Sequence, residues 1–231
     1  MTSTPAPRAA PLWVSIEGIN GVGKTSAARA ATAMLGARCV LLDELTDSCG
    51  TALHGPVIAA LTEHGDPFLR TGYPVVETLA LLALQVGKAE RLAGRDLTGV
   101  EVIIEDRGVD SIAVYQAAIL CSPRPETSPE SVARYVLSAV RRWRRIPDAT
   151  ILLTGDPEEC PRRFADRIGR PLTPADLQLL EQIDTLYRKA AADDPGRYVL
   201  LEVAGMSREE TAGAVGEIVA TLMDRQAAHA S

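Results

Sequence analysis

Gly18-Ile19-Asn20-Gly21-Val22-Gly23-Lys24-Thr25 is the stretch whose residue types and spacing could do chemistry. Glycines at 18, 21 and 23 allow a sharp turn that aims successive backbone N–H groups at one anion. A helix opening at Lys24 would add its unpaired donors and the positive end of its dipole. In such a loop Lys24 reaches the β and γ phosphates of a nucleotide, and the Thr25 hydroxyl binds Mg2+. The chain has only three lysines, Lys24, Lys88 and Lys189, so one at this place is not a by-product of a lysine-rich composition.

Two further groups of residues fit the same chemistry. Asp106-Arg107 closes an apolar run, and Arg162, Arg163, Arg167 and Arg170 fall within nine residues. Phosphoryl transfer through a loose transition state needs positioning and neutralisation of charge more than covalent catalysis. A lysine, a metal carried by the nucleotide and one or two arginines suffice.

The elements that must position these groups follow from the pattern of apolar residues. Leu12 to Glu17 reads as a buried strand feeding the glycine loop, and a helix runs from about Lys24 to Leu35 and stops at Gly36. Arg38–Leu42, Gly99–Glu105, Ala149–Leu153 and Tyr198–Val203 read as further strands. Helices are expected over Thr51–His64, Pro74 to about Gly94, Val109–Leu120, Ser131–Arg145, Pro157–Phe164, Pro174–Ala192 and Ser207–Ala227. Ser207 and Glu210 stand in capping-box spacing. Strands alternating with helices predict an α/β fold, a doubly wound parallel sheet of about five strands in three layers. Asp106-Arg107 then falls on the same rim as the glycine loop, where such sheets bind ligands.

At 231 residues, 46% hydrophobic and 23% charged, the sequence suits a single domain, here 12–228, behind a disordered tail, 1–11. A net charge of −6 argues against broad binding to nucleic acid or an anionic membrane. The run Arg141 to Arg145 therefore reads as the exposed C-terminal end of a helix. Cys39, Cys49, Cys121 and Cys160 lack metal or disulfide spacing. No signal peptide or membrane span stands out, which makes a cytoplasmic protein the expectation.

The order of the glycine loop, Asp106-Arg107 with Ser111 and Tyr115-Gln116, Pro147-Asp148, Asp156-Pro157-Glu158-Glu159 and Asp166-Arg167-Ile168 resembles the thymidylate kinase family of nucleoside monophosphate kinases. The similarity runs from about residue 12 to 225. It implies the P-loop kinase fold, ATP and Mg2+ as cofactors, a small nucleotide acceptor and a homodimer packed through Pro74–Leu84 and Val109–Leu120. ATP would be held by Gly18, Asn20, Gly21, Val22, Gly23, Lys24, Thr25 and Ser26, with Arg163 above it. Thr25 and Asp106 would flank the metal. Lys24, Arg107 and Arg167 would be catalytic, Arg167 from a lid at about 160–173, since no residue of the glycine loop supplies an arginine.

The acceptor side departs from that resemblance. Glu44 matches the glutamate of the family's Thr-Arg-Glu-Pro-Gly-Gly segment, but the arginine before it is missing. The family's stacking phenylalanine and phosphate-gripping arginine fall near Leu82 and near Gln85 or Val86, and its polar pyrimidine contact falls on Ile112. The acceptor set is thus expected to comprise Glu44, Leu82, Gln85, Lys88, Arg107, Ser111, Ile112 and Tyr115, with Lys88 standing in for the lost arginine. The expectation is an ATP- and Mg2+-dependent kinase acting on dTMP or a related nucleotide; a kinase for a different small acceptor, a nucleoside or specialised metabolite, or a non-catalytic nucleotide-binding regulatory module remain alternatives.

Overall fold

In a computed structural model that describes residues 10–46, 53–123 and 126–230, five parallel strands stand in the order β2-β3-β1-β4-β5. The central strand β1 (Leu12–Glu17) pairs with β3 (Val102–Asp106) on one side and β4 (Ala149–Thr154) on the other. β2 (Cys39–Leu42) and β5 (Tyr198–Glu202) are the edges. The three inner strands are buried along their whole length, which explains why they are mostly apolar.

Eight α-helices connect the strands among the described residues: α1 (Lys24–Leu35), α2 (His54–Thr62), α3 (Pro74–Ala93), α4 (Val109–Cys121), α5 (Pro129–Val140), α6 (Glu159–Ile168), α7 (Pro174–Asp193) and α8 (Arg208–Ala230). α1 packs on α8, whereas α3, α5 and α7 all pack around α4. Nearly every residue of α4 is buried, because small and branched side chains from Ile112 to Ile119 surround it on all sides. The expected capping box forms at α8, where Ser207 N–H donates to Glu210 (2.8 Å) and Glu210 N–H donates to Ser207 Oγ (3.1 Å). The expected tail, 1–11, and Cys49 lie largely or wholly outside the described residues.

In the arginine run after α5, Arg141, Arg142 and Arg145 are exposed as expected, but Arg144 is not. α5 stops at Val140, and Arg144 turns into the core. Its Nη2 lies 2.8 Å from Glu105 Oε2 with neither side chain exposed, its Nη1 donates to Gln85 Oε1 (2.5 Å), and its guanidinium covers the Trp13 ring. Glu105 is the reason: a carboxylate on a buried strand must find countercharge, and the fold brings Arg144 and Lys88 to it.

Candidate active site

The glycine loop joins the carboxyl end of β1 to α1, and two of its glycines are glycines for different reasons. A Cβ on Gly21 would stand 2.0 Å from the carbonyl oxygen of Cys160, so the loop passes directly against the backbone of α6. Gly23 meets nothing within 4 Å; its φ of +105° makes the left-handed turn into α1. Lys24 is buried and its Nζ donates to Ile19 O (2.6 Å), back across the loop. Burial, and after it the Arg107 charge, push its ammonium down to about 7. A phosphate beside it would supply the missing countercharge.

Thr25 is hydrogen bonded to Asp106 at the end of β3. Asp106 Oδ1 is buried with no hydrogen-bond partner among the described residues. Burial first, then the Glu44 charge, raise the Asp106 carboxyl above its ordinary value, against the opposing pull of the Thr25 hydrogen bond and the Lys24 and Arg107 charges. No cluster of three or more His, Cys, Asp or Glu side chains that could hold a metal by themselves occurs among the described residues. One hydroxyl and one orphaned carboxylate oxygen fit a Mg2+ that arrives on nucleotide phosphates and keeps several waters.

Two cavities meet at this point. The first, about 670 Å3, is lined by the loop from Gly21 to Ala27, by Arg163 and Arg167 of α6, and by Val203, Met206, Ser207, Arg208 and Thr211 around the start of α8. The second, about 560 Å3, opens between Asn20, Glu44, Arg107, Ser111, Ile112 and Tyr115. Thr25, Ser26, Arg107 and Arg167 line both. Arg107 therefore stands between the two compartments, and its backbone is in the left-handed region at φ +56°. Its N–H donates to Ile16 O (3.3 Å), its carbonyl accepts from Gln85 Nε2 (3.2 Å), and its side chain bonds Asn20 Oδ1 and lies 2.9 Å from Glu44 Oε1. A side chain held so tightly in a sparsely populated conformation marks a working position.

No family model matches the chain. Among curated proteins it is 29% identical to the thymidylate kinase of Bifidobacterium longum subsp. infantis over 213 residues, 92% of this chain and 87% of that protein. It is also 29% identical to the thymidylate kinase of Cereibacter sphaeroides, covering 87% of this chain and 91% of the other. Among solved structures, a thymidylate kinase from Candida albicans superposes with a TM-score of 0.66 over 91% of this chain and 92% of its own, at 18% identity, which speaks to the fold. The chain is similar to thymidylate kinases over most of its length. That similarity indicates a phosphotransferase.

Of the residues singled out in the sequence, Gly21 to Ser26, Arg107, Arg163 and Arg167 come together around the first cavity, whereas those expected to bind an acceptor are only partly gathered at the second. Lys88 does not line the second cavity: it is buried, and its Nζ lies 3.2 Å from Glu105 Oε1. The expectation that it replaces the lost arginine fails on geometry, because Glu105 needs its charge. Leu82 does not line the cavity either, and Leu81 does. Gln85 reaches the cavity but spends its carboxamide on Arg144 and on the Arg107 carbonyl.

Three contributors were not legible in the sequence. Glu17 accepts from Gly108 N–H (2.7 Å), Ser111 Oγ (2.5 Å) and Tyr187 Oη (3.1 Å), pinning the turn that carries Arg107. Burial, then the Asp110 charge, raise its carboxyl to about 7. Phe68 and Leu69, from the connection between α2 and α3, form an apolar wall opposite Ile112. In the sequence, Gly65-Asp66-Pro67 marks only a break after the helix expected at Thr51–His64.

Proposed function

We propose that the protein is an ATP- and Mg2+-dependent nucleoside monophosphate kinase that transfers the γ-phosphoryl group of ATP to dTMP or a related nucleotide. The observation that carries this reading is the pair of cavities sharing Thr25, Ser26, Arg107 and Arg167. A donor in the first and an acceptor in the second would bring their phosphates together between two arginines. Residues 12–228 would form the single catalytic domain, with 160–173 as the closing segment that brings Arg163 and Arg167 over the nucleotide and excludes water. Mg2+ held by Thr25 and Asp106 would screen the charge of the β and γ phosphates. Lys24 would bind the same oxygens, and Arg107 would orient the acceptor.

Ile112 in place of a polar base contact, and Gln85 and Lys88 committed to the core, favour an acceptor other than dTMP over dTMP itself. ADP release measured with Mg·ATP against a panel of nucleotides and nucleosides decides the acceptor. Turnover on a nucleoside monophosphate that is lost in Lys24→Ala supports the reading. Binding of Mg·ATP without turnover on any acceptor overturns it in favour of a nucleotide-binding module. No helix among the described residues is long and apolar enough to cross a membrane. A homodimer would use the outer face of α3, where Val75, Val76 and Leu79 are exposed, and not α4, which is already covered; light scattering tests it.

A further inference from the structure

The Asp66–Arg70 turn joins the wall of the acceptor cavity to the arginine-bearing helix. Asp66 Oδ1 accepts from the N–H groups of Phe68 (2.9 Å) and Arg70 (3.1 Å), and both Asp66 oxygens accept from the Arg70 guanidinium. This turn holds Leu69 at φ +61°, a left-handed conformation that a branched side chain keeps only when its surroundings dictate it. The result is that Phe68 and Leu69 both face the second cavity.

From the turn, contacts run outward to α6 and α7. The Arg70 guanidinium sits 5.0 Å from the Phe68 ring centroid; Phe68 meets Phe164 of α6 edge-on at 5.6 Å; Arg167 lies over Phe164 at 5.2 Å. Arg70 Nη2 also donates to Asp176 Oδ1 (2.6 Å), a buried carboxylate whose other oxygen accepts the Thr173 N–H in the capping box of α7. One arginine thus grips the acceptor turn through Asp66 and the far end of the α6–α7 segment through Asp176. Between those grips stands a column of two aromatic rings ending on Arg167.

We propose that Arg70 is a positioning residue that sets Arg167 through Phe68, Phe164 and Asp176, so that the acceptor wall and the arginine of the closing segment are placed as one unit. The idea rests on the kinase reading of the two cavities, and it adds that occupancy of the second cavity is sensed, through its Phe68 and Leu69 wall, by Arg167, which lines both. A ligand pressing on Phe68 and Leu69 bears directly on the ring that carries Arg167. Cation–ring and edge-on ring contacts of this kind are short-ranged, and a small shift of Phe68 would displace the guanidinium.

The test compares Arg70→Met, which keeps the stem and loses both ion pairs, with Arg70→Lys and Phe68→Leu. Expected for Arg70→Met and Phe68→Leu is a fall of about tenfold in kcat with the preferred acceptor, while KM for Mg·ATP stays within about twofold, the size of effect that loss of one half-buried charge-assisted contact carries. Arg70→Lys recovers part of the loss. Hydrogen exchange gives a reading that needs no acceptor: in both disruptive variants residues 159–168 exchange faster and residues 24–35 do not. Unchanged exchange over 159–168, or acceleration spread evenly over the whole chain, overturns the proposal. Turnover of no acceptor by the unaltered protein, with the local exchange effect present, overturns the kinase reading and leaves the positioning contact standing.

Discussion

Arg107 Nε lies 2.9 Å from Glu44 Oε1 where the two cavities join, and this pair sets the charge balance of the site. Burial alone would raise the Glu44 carboxyl, but Arg107, Lys24 and Arg167 outweigh it and hold it below its ordinary value, so it stays ionised. The ion pair keeps a guanidinium oriented before substrate arrives. Arg107→Ala is expected to lower kcat by about 10²–10³-fold, the usual cost of removing one donor to a developing charge. Glu44→Ala, which frees Arg107 without discharging it, should cost only about tenfold. A larger loss in Glu44→Ala than in Arg107→Ala in steady-state assays would give Glu44 a chemical role of its own.

Lys24 makes a prediction about pH. With its ammonium pushed down to about 7 in the ligand-free protein, kcat/KM for ATP should fall as pH rises through about 7. kcat should hold to higher pH, since bound phosphates restore the charge. Stability moves the other way. The unfolded chain keeps this proton up to the ordinary lysine value of 10.5, so the native state bears the full penalty below pH 7 and is relieved of it as pH rises towards 10.5. Lys24→Met should therefore raise Tm at pH 6, by more than at pH 10, while abolishing use of ATP. Calorimetry at the two pH values checks the sign.

The glycine loop separates two uses of glycine. Gly21→Ala would drive a Cβ into the Cys160 carbonyl, which must part the loop from α6; a loss of ATP affinity beyond about tenfold is expected by titration calorimetry. Gly23→Ala meets no atom and costs only its left-handed backbone, about 1–2 kcal/mol. It should be read mainly in Tm, with smaller harm to ATP binding.

Arg144 and Glu105 test the core beneath the site. Arg144→Met leaves a fully buried carboxylate with Lys88 and the Trp13 Nε1 donor (3.0 Å) as its remaining partners, and should cost about 3–5 kcal/mol in urea unfolding. Arg144→Lys should recover part of that. Because Gln85 loses its arginine partner too, Arg144→Met should lower kcat in the protein that remains folded, through the carbonyl contact that steadies Arg107.

Local sequence determined the donor half of this protein. A glycine turn, the lysine and threonine that open α1, and an Asp-Arg pair at the end of an apolar strand each act within a few residues of backbone, so spacing alone conveys their geometry. The doubly wound sheet was legible for a related reason: buried parallel strands must be mostly apolar, and helices must lie between them. Tertiary structure decided the acceptor half. Whether Lys88 and Gln85 face a ligand or the core depends on Glu105, 17 and 20 residues away in the chain, and on Arg144, which composition had placed in solvent. The wall of Phe68 and Leu69 exists because Asp66 folds its own turn and Arg70 reaches Asp176, over 100 residues further on. A buried charge chooses its partner by distance in space, and periodicity along a chain carries no record of that distance.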